Sequence, residues 1–345
     1  MLKCIKYRFS EAPQNYWDFV HEFGTIYQSK PYLNCLAASG KEQMVIAVFE
    51  DDKLVGGAGI TVGRKILNFP INMGTYFSPV VCNAQKAAAV LKCIADTIKT
   101  MCLRFSATAL PGHAKVLAES HELSNWHKRE IEFIHWDISD SLESLFKAMK
   151  KSKREAVRKA RREGAIIKEI ETPEEVEQFF ELYSASMRKG KLEPGSLLYH
   201  KNLISMLKPV GLAAGFLALH PEIRKPIAGI IMLLGMHKEA TFAYMGHDYE
   251  YRKFCAPDLL WWHCLEFLKS KGFVLADLVG LPKGNSQREQ GIRDYKIALT
   301  GVNGRRYPSF VLTRGNFGLS PKLVAKASVF SKKVTKFISG VFGGK

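Results

Sequence analysis

The chain has 345 residues, 47% of them hydrophobic and 24% charged, with a formal net charge of +17. This length suits two domains with sizeable cores, and the composition excludes an intrinsically disordered chain. A positive charge this large points to an anionic partner: a phosphate-bearing substrate, RNA or an acidic membrane surface. In chain order, Tyr16 to Phe23 forms an amphipathic segment. Met44 to Phe49 reads as a strand, Asp51-Asp52-Lys53 as a hairpin turn, Leu54 to Val62 as a second strand and Tyr76 to Val81 as a third. Ala84 to Met101 has helical spacing, with Ala88, Leu91, Ile94 or Ala95, and Ile98 on one face. Cys102 to Ala109 and Glu130 to Trp136 read as further strands.

The second half opens on a predicted long helix, Leu142 to Glu163, followed by helices over Glu174–Lys189 and Leu197–Leu207. Strands are expected over Gly211–Leu219, Ile227–Leu234 and Thr241–Met245. A helix opened by Pro257 and closed at Gly272 leads to a strand, Phe273–Val279, a polar loop and the segment Gly291–Gly301. The order of elements repeats that of the first half. The reading is an α/β protein of two tandem domains, each a mixed sheet flanked by helices, over residues 1–140 and 141–315, with a tail over 316–345.

No apolar run is long enough to span a bilayer, and the N-terminus MLKCIKYRFSEAPQ has no signal core, so a cytoplasmic location is expected. The seven cysteines show no Cys-x-x-Cys spacing, which suggests reduced thiols and no metal site.

Residues 147–162 read KAMKKSKREAVRKARR, with nine lysines and arginines. On a helix, Lys147, Arg154, Arg158 and Arg161 fall on one stripe, and Leu145, Met149, Val157 and Ala160 on another. Like charges one turn apart repel, and an anion would relieve that cost. In the tail, Leu323, Ala327, Phe330, Val334, Phe337 and Val341 face away from Lys322, Lys326, Lys332, Lys333 and Lys336. This pattern predicts either a basic helix lying peripherally on the inner face of a membrane or one docked on the protein itself.

Several motifs together resemble the Fem-type aminoacyltransferases, which are built on the GNAT (N-acetyltransferase) fold. Asp277 and Gly280 match a strand ending in Asp-x-x-Gly. Gly291, Ile292, Tyr295 and Lys296 match Gly-[Ile/Leu]-x-x-[Phe/Tyr]-Lys, and Arg154 to Gly164 matches R-x-x-[Ile/Val]-R-K-A-x-x-x-G. Gln28-Ser29 and Tyr32 resemble the family's Phe-x-Gln-Ser-x-x-Trp. The resemblance implies a tandem GNAT-like fold and an acyl or aminoacyl transfer to an amine of a cell-envelope or polysaccharide precursor. The amine attacks directly, with no covalent enzyme intermediate and no bound cofactor. The donor is aminoacyl-tRNA or acyl-CoA, used as a co-substrate. Lys296 and Asp277 are the implied catalytic residues, and Arg154, Arg158, Arg252, Arg288, Arg293 and Tyr295 the substrate-binding ones. Asp277, Glu289 and Asp248 are candidates for the general base.

One departure bears on the donor. The GNAT loop that cradles the CoA pyrophosphate has glycines where this chain has Cys255 and Pro257, and proline has no N–H to donate. Two alternatives stand beside the main reading. One is a CoA-dependent N-acyltransferase acting on a sugar or small-molecule amine. The other is a non-catalytic RNA- or membrane-binding protein.

Overall fold

The structure is a computed structural model that describes residues 1–315 apart from Arg64, Leu67, Asn68, Tyr76 and Ser78. The amphipathic tail, and part of the strand expected from Tyr76, lie outside the described residues. The chain divides into two compact units that are not contiguous in sequence. Unit one holds Met1–Tyr16, Lys41–Arg129 and, among the described residues, Phe310–Gly315; unit two holds Trp17–Gly40 and Glu130–Ser309. The sequence expectation has a single boundary near residue 140.

β1 (Leu2–Arg8) is followed by α1 (Gln14–Phe23) and α2 (Lys30–Ala38), which belong to unit two from Trp17 onward. Unit one continues with β2 (Gln43–Glu50) and β3 (Lys53–Val62), then the short strands β4 (Lys65–Ile66), β5 (Phe69–Pro70), β6 (Asn72–Thr75) and β7 (Val80–Val81). α3 (Ala87–Ile98), β8 (Arg104–Thr108) and α4 (Pro111–Glu119) complete it. The turn at Asp51 and Asp52 has both residues in the left-handed region, as a tight hairpin requires. α3 buries Ala88, Leu91, Ile94, Ala95 and Ile98 against the sheet, the face its spacing predicts. Cys4 and Cys93 are joined by a disulfide, which corrects the expectation of reduced thiols throughout; the other five cysteines are free.

Unit two resumes with β9 (His127–Asp137, from Glu130), α5 (Leu142–Ala148), α6 (Lys151–Arg162), β10 (Ile166–Glu169) and α7 (Pro173–Lys189). Then come α8 (Leu197–Asn202), β11 (Ala213–Leu219), β12 (Pro226–Leu234), β13 (Glu239–His247), α9 (Ala256–Ser270), β14 (Leu275–Leu281) and α10 (Gln287–Thr300). β15 (Gly304–Gly315) closes the described chain and pairs with β8 in unit one through Val311–Gly315. In unit two the strands run β9-β14-β13-β12-β11-β10, antiparallel except for the β13–β14 pair. This is the mixed α/β architecture expected. The order of contacts explains why the units depart from chain order. α2 is held in unit two by hydrogen bonds from Tyr32 to Tyr199 and from Asn202 to Ser39.

The long basic helix expected over Leu142–Glu163 is two helices. Met149 and Lys150 are extended, with ψ of 149° and 145°. Three contacts hold the break open. The Lys150 N–H donates to Ala298 O of α10 at 2.9 Å, and one Arg154 guanidinium nitrogen donates to Lys147 O at 2.8 Å and to Met149 O. The carbonyls left open at the end of α5 are thus satisfied by a side chain from α6. α7 begins on a full capping box, Thr172 with Glu175, and α10 on another, Ser286 with Glu289. Among the described residues no helix is long and apolar enough to cross a membrane.

Candidate active site

β13 and β14 run side by side for only three residue pairs, Glu239–Leu275, Ala240–Ala276 and Thr241–Asp277. Beyond these, both strands are bent by an extra residue. The register of β13 against β12 skips Ala243, and that of β14 against β9 shifts between Asp277 and Gly280, where Val279 has φ of +55°. The parallel ladder therefore opens at Asp277. Lys296, from α10, reaches the opened strand: its ammonium donates to Leu278 O at 2.6 Å and to Gly280 O at 3.0 Å. This cation bonds backbone carbonyls that lie beyond the end of the parallel ladder.

Asp277 stands at the fork. Its carboxylate accepts the Val279 N–H at 2.7 Å and lies 3.9 Å from His135 Nε2. The His135 ring packs against Tyr307, with centroids 4.8 Å apart. Paired residues share a sheet face, so Thr241, Asp277 and His135 face one way, opposite the core formed by Ala240, Phe242 and Ala276 under α9. Burial raises Asp277 to about 7, opposed by the Val279 N–H and the Lys296 charge. Burial lowers Lys296 to about 8, opposed by Asp277, and it also lowers His135. A carboxyl group near 7 and an ammonium near 8 can exchange protons at neutral pH.

The first turn of α9, where a GNAT enzyme holds pyrophosphate, already carries an anion. Asp258, in that turn, is 7% exposed and pairs with Lys153 of α6 at 2.9 Å. Lys153 also sits 3.7 Å above the Tyr295 ring. Burial and the adjacent Asp258 push the Tyr295 phenol well above its ordinary range. Cys255, the residue before the helix, is left-handed at φ +52°, and Pro257 offers no N–H.

A cluster of cations surrounds the outer end of β13. Lys189 lies 3.4 Å from the centre of the Tyr249 ring and the Arg252 guanidinium 4.6 Å from it. The Arg288 guanidinium rests against Gly190, where a Cβ would push it aside. Arg252 and Arg288 are thereby brought to one place by the C-terminal end of α7, a segment the motifs do not single out. The other expected binding residues lie elsewhere. Arg158 stacks on Phe146 at 5.3 Å, Arg154 caps α5, and Arg293 donates to Pro282 O at 2.9 Å. Tyr295 belongs to the Lys153–Asp258 cluster.

Two candidate bases are engaged in holding the backbone. Glu289 closes the capping box with Ser286, and Asp248 accepts from Lys225 at 3.0 Å and from the Glu250 N–H. Burial raises the Asp248 carboxyl, but Lys225 and the Glu250 amide outweigh it and hold it low. Asp277 remains. His135, Lys153 and Lys189 are residues that the motifs miss. Each is one member of a strand pattern or charge run, and only the fold supplies its partner. The same holds for a row of phenols in unit two. The Tyr199 hydroxyl lies 2.9 Å from that of Tyr244 on β13 and 3.1 Å from that of Tyr32.

Residues 147–296 match the family model of the acetyltransferase (GNAT) domain. Among solved structures the chain resembles FemX, at 12% identity over 89% of this chain and 96% of that one, with a TM-score of 0.68. It also resembles a tandem GNAT protein from the clavulanic acid biosynthesis pathway, at 14% identity over 93% and 100% of the two chains, with a TM-score of 0.59. A third is the C-terminal domain of a putative lysylphosphatidylglycerol synthetase from Agrobacterium fabrum, at 14% identity over 92% and 93%, with a TM-score of 0.56. No curated protein matches the chain. The chain has the Fem-type tandem GNAT fold. Its GNAT domain makes it an acyltransferase.

Proposed function

We propose that the chain transfers an acyl or aminoacyl group from an ester donor to the amine of an anionic cell-envelope or polysaccharide precursor. The observation that carries this reading is the fork at Asp277, where a carboxyl group raised to about 7 and a lysine lowered to about 8 meet at the opened strands. The acceptor nitrogen attacks the ester carbonyl carbon and loses a proton to the Asp277 carboxylate, with His135 beside it. The N–C bond forms, the ester C–O bond breaks, and the leaving oxygen takes a proton. Lys296 keeps β14 parted from β13, and its charge offsets the negative charge that grows on the carbonyl oxygen.

The Lys153–Asp258 pair favours a donor other than CoA, because a diphosphate at the first turn of α9 would meet a buried carboxylate. The cations Lys189, Arg252 and Arg288 suit phosphates of a tRNA donor or of a precursor. The name of the Agrobacterium protein joins a lysyl group to a phosphate-bearing lipid, which is consistent with aminoacyl chemistry on this fold.

The test incubates the protein with amine-bearing envelope precursors and either radiolabelled aminoacyl-tRNA or radiolabelled acetyl-CoA. The expected result is label from the tRNA in a base-stable, amide-linked product, lost in Asp277→Asn. Transfer from acetyl-CoA alone would overturn the donor, and full activity of Asp277→Asn would overturn the site.

A further inference from the structure

α6 buries Val157 and Ala160 in the core of unit two and turns its opposite face to solvent. Three cations of its run have partners within the unit: Lys153 pairs with Asp258, Arg154 caps α5, and Arg161 pairs with Glu266 at 2.9 Å. The outer stripe is Lys151, Glu155, Arg158 and Arg162, roughly one turn apart, with Lys150 just ahead of the helix; all five are exposed. Among the described residues, Lys150, Arg158 and Arg162 meet no carboxylate, and Lys151 meets only Glu155, at 3.8 Å. Arg158 and Arg162, four residues apart, repel each other.

An exposed aliphatic side chain stands beside each end of this stripe. Val302, 88% exposed, is in the turn Gly301–Asn303, and the Gly301 backbone lies directly against Ala148 O at the break between α5 and α6. Ile223, 59% exposed, is in the turn between β11 and β12, and Pro221 of that turn lies against Gly164, just past the end of α6. Arg224, next to Ile223, is exposed and meets no carboxylate among the described residues. The carboxylates at this end are Glu163 and Glu222, both exposed. The 12 residues of α6 make a helix about 18 Å long, so an aliphatic tip brackets a cationic stripe of that length at either end.

We propose that this face of unit two lies on the surface of an anionic lipid bilayer. Lipid headgroup phosphates would meet Lys150, Lys151, Arg158 and Arg162, and Val302 and Ile223 would enter the boundary between headgroups and acyl chains. A charge stripe alone would serve an RNA backbone as well. The aliphatic tips decide between the two, because a phosphate backbone gives them nothing to bury against, whereas a bilayer does. A bilayer also asks no fixed distance between the cations: its headgroups move to meet them, so flexible exposed side chains suffice. The inference goes beyond the transfer reaction and does not depend on Asp277 or Lys296.

Residues 316–345 carry lysines of their own, so the test reads contact by position and not bulk binding alone. The full chain, with the exposed Cys82 changed to serine, receives an environment-sensitive thiol fluorophore at Val302→Cys, Ile223→Cys or Val210→Cys. Val210 is an exposed control that follows the turn Leu203–Leu207, packed on the sheet face opposite α6. The Cys82→Ser protein without an added cysteine corrects for label on Cys255. Vesicles are phosphatidylcholine with or without phosphatidylglycerol. Labels at 302 and 223 should shift to the blue with the anionic vesicles only, and the label at 210 should not shift. Adding Lys151→Glu, Arg158→Glu and Arg162→Glu should raise the lipid concentration at half-shift at least about tenfold, since each cation lost weakens binding about fivefold. These three side chains are exposed, and circular dichroism checks that the variant folds. The proposal is overturned if the label at 302 or at 223 stays unshifted, if all three positions shift alike, or if neutral vesicles act as the anionic ones do. It is also overturned if the folded charge variant shifts at the parent's lipid concentration, including the case in which that variant loses only tRNA binding.

Discussion

Lys153 and Asp258 are 105 residues apart in sequence and meet at 2.9 Å, both largely buried, at the first turn of α9. The lysine comes from a charge run that reads as a solvated or anion-binding face, and the aspartate from a position where GNAT enzymes hold phosphate. Their pairing gives the helix terminus an internal counter-anion, favourable to its dipole.

Removing one partner leaves the other charge buried and alone. Lys153→Met should lower the unfolding free energy by roughly 3 kcal/mol, and Lys153→Met with Asp258→Leu should recover part of that loss. Denaturant midpoints of the two variants check this. Equal midpoints for Lys153→Met and the parent would show that the pair contributes nothing.

The same pair predicts the response to CoA. Acetyl-CoA at about 1 mM should leave the melting temperature of the parent unchanged, since a ligand that binds only the folded state would raise it. A clear upward shift would show that the first turn of α9 accepts a diphosphate despite Asp258.

The fork predicts a bell-shaped pH–rate profile. The acid limb should fall near 7, where Asp277 gains its proton, and the alkaline limb near 8, where Lys296 loses its own. Asp277→Asn should abolish activity at all pH values if the carboxylate is the base. The group also bears on stability. Its carboxyl is raised on folding from an ordinary value of about 4, so its contribution is full below that value and is lost as pH rises towards 7. Chemical denaturation of Asp277→Asn between those limits should show a flatter decline than the parent.

Arg154 and Arg158 stand one turn apart but have separate roles. Arg154→Ala removes the cap on Lys147 O and Met149 O and should cost about 1–2 kcal/mol. Arg158→Ala removes an exposed stack on Phe146 and should stay within about 0.5 kcal/mol of the parent. Thermal unfolding distinguishes them; equal losses would remove the distinction.

For the cations around Tyr249, changing Lys189, Arg252 and Arg288 together to Gln should reduce the salt dependence of tRNA binding. Each lost phosphate contact lowers the slope of log K against log salt by about 0.7–0.9. An unchanged slope would place the phosphate path elsewhere.

Much of the fold was open to reading in the chain itself. The apolar runs from Met44 and Leu54 and the 3.6-residue spacing around Leu91 follow from side chains that must leave water, a signal carried by local sequence. Asp277, Gly280 and Lys296 were recognisable because a motif fixes their spacing. The sequence could not show that Lys296 bonds the β14 backbone, that His135 faces Asp277, or that the basic helix breaks at Met149–Lys150. Each depends on a partner far along the chain: Leu278 O and Gly280 O for the lysine, the β9–β14 register for the histidine, Ala298 O for the break. Spacing in a sequence reports which residues share a face of one element. Which charges become buried, which become paired and whose pKa moves is decided only when separate elements pack, because desolvation and Coulomb energy depend on distances that tertiary structure alone sets.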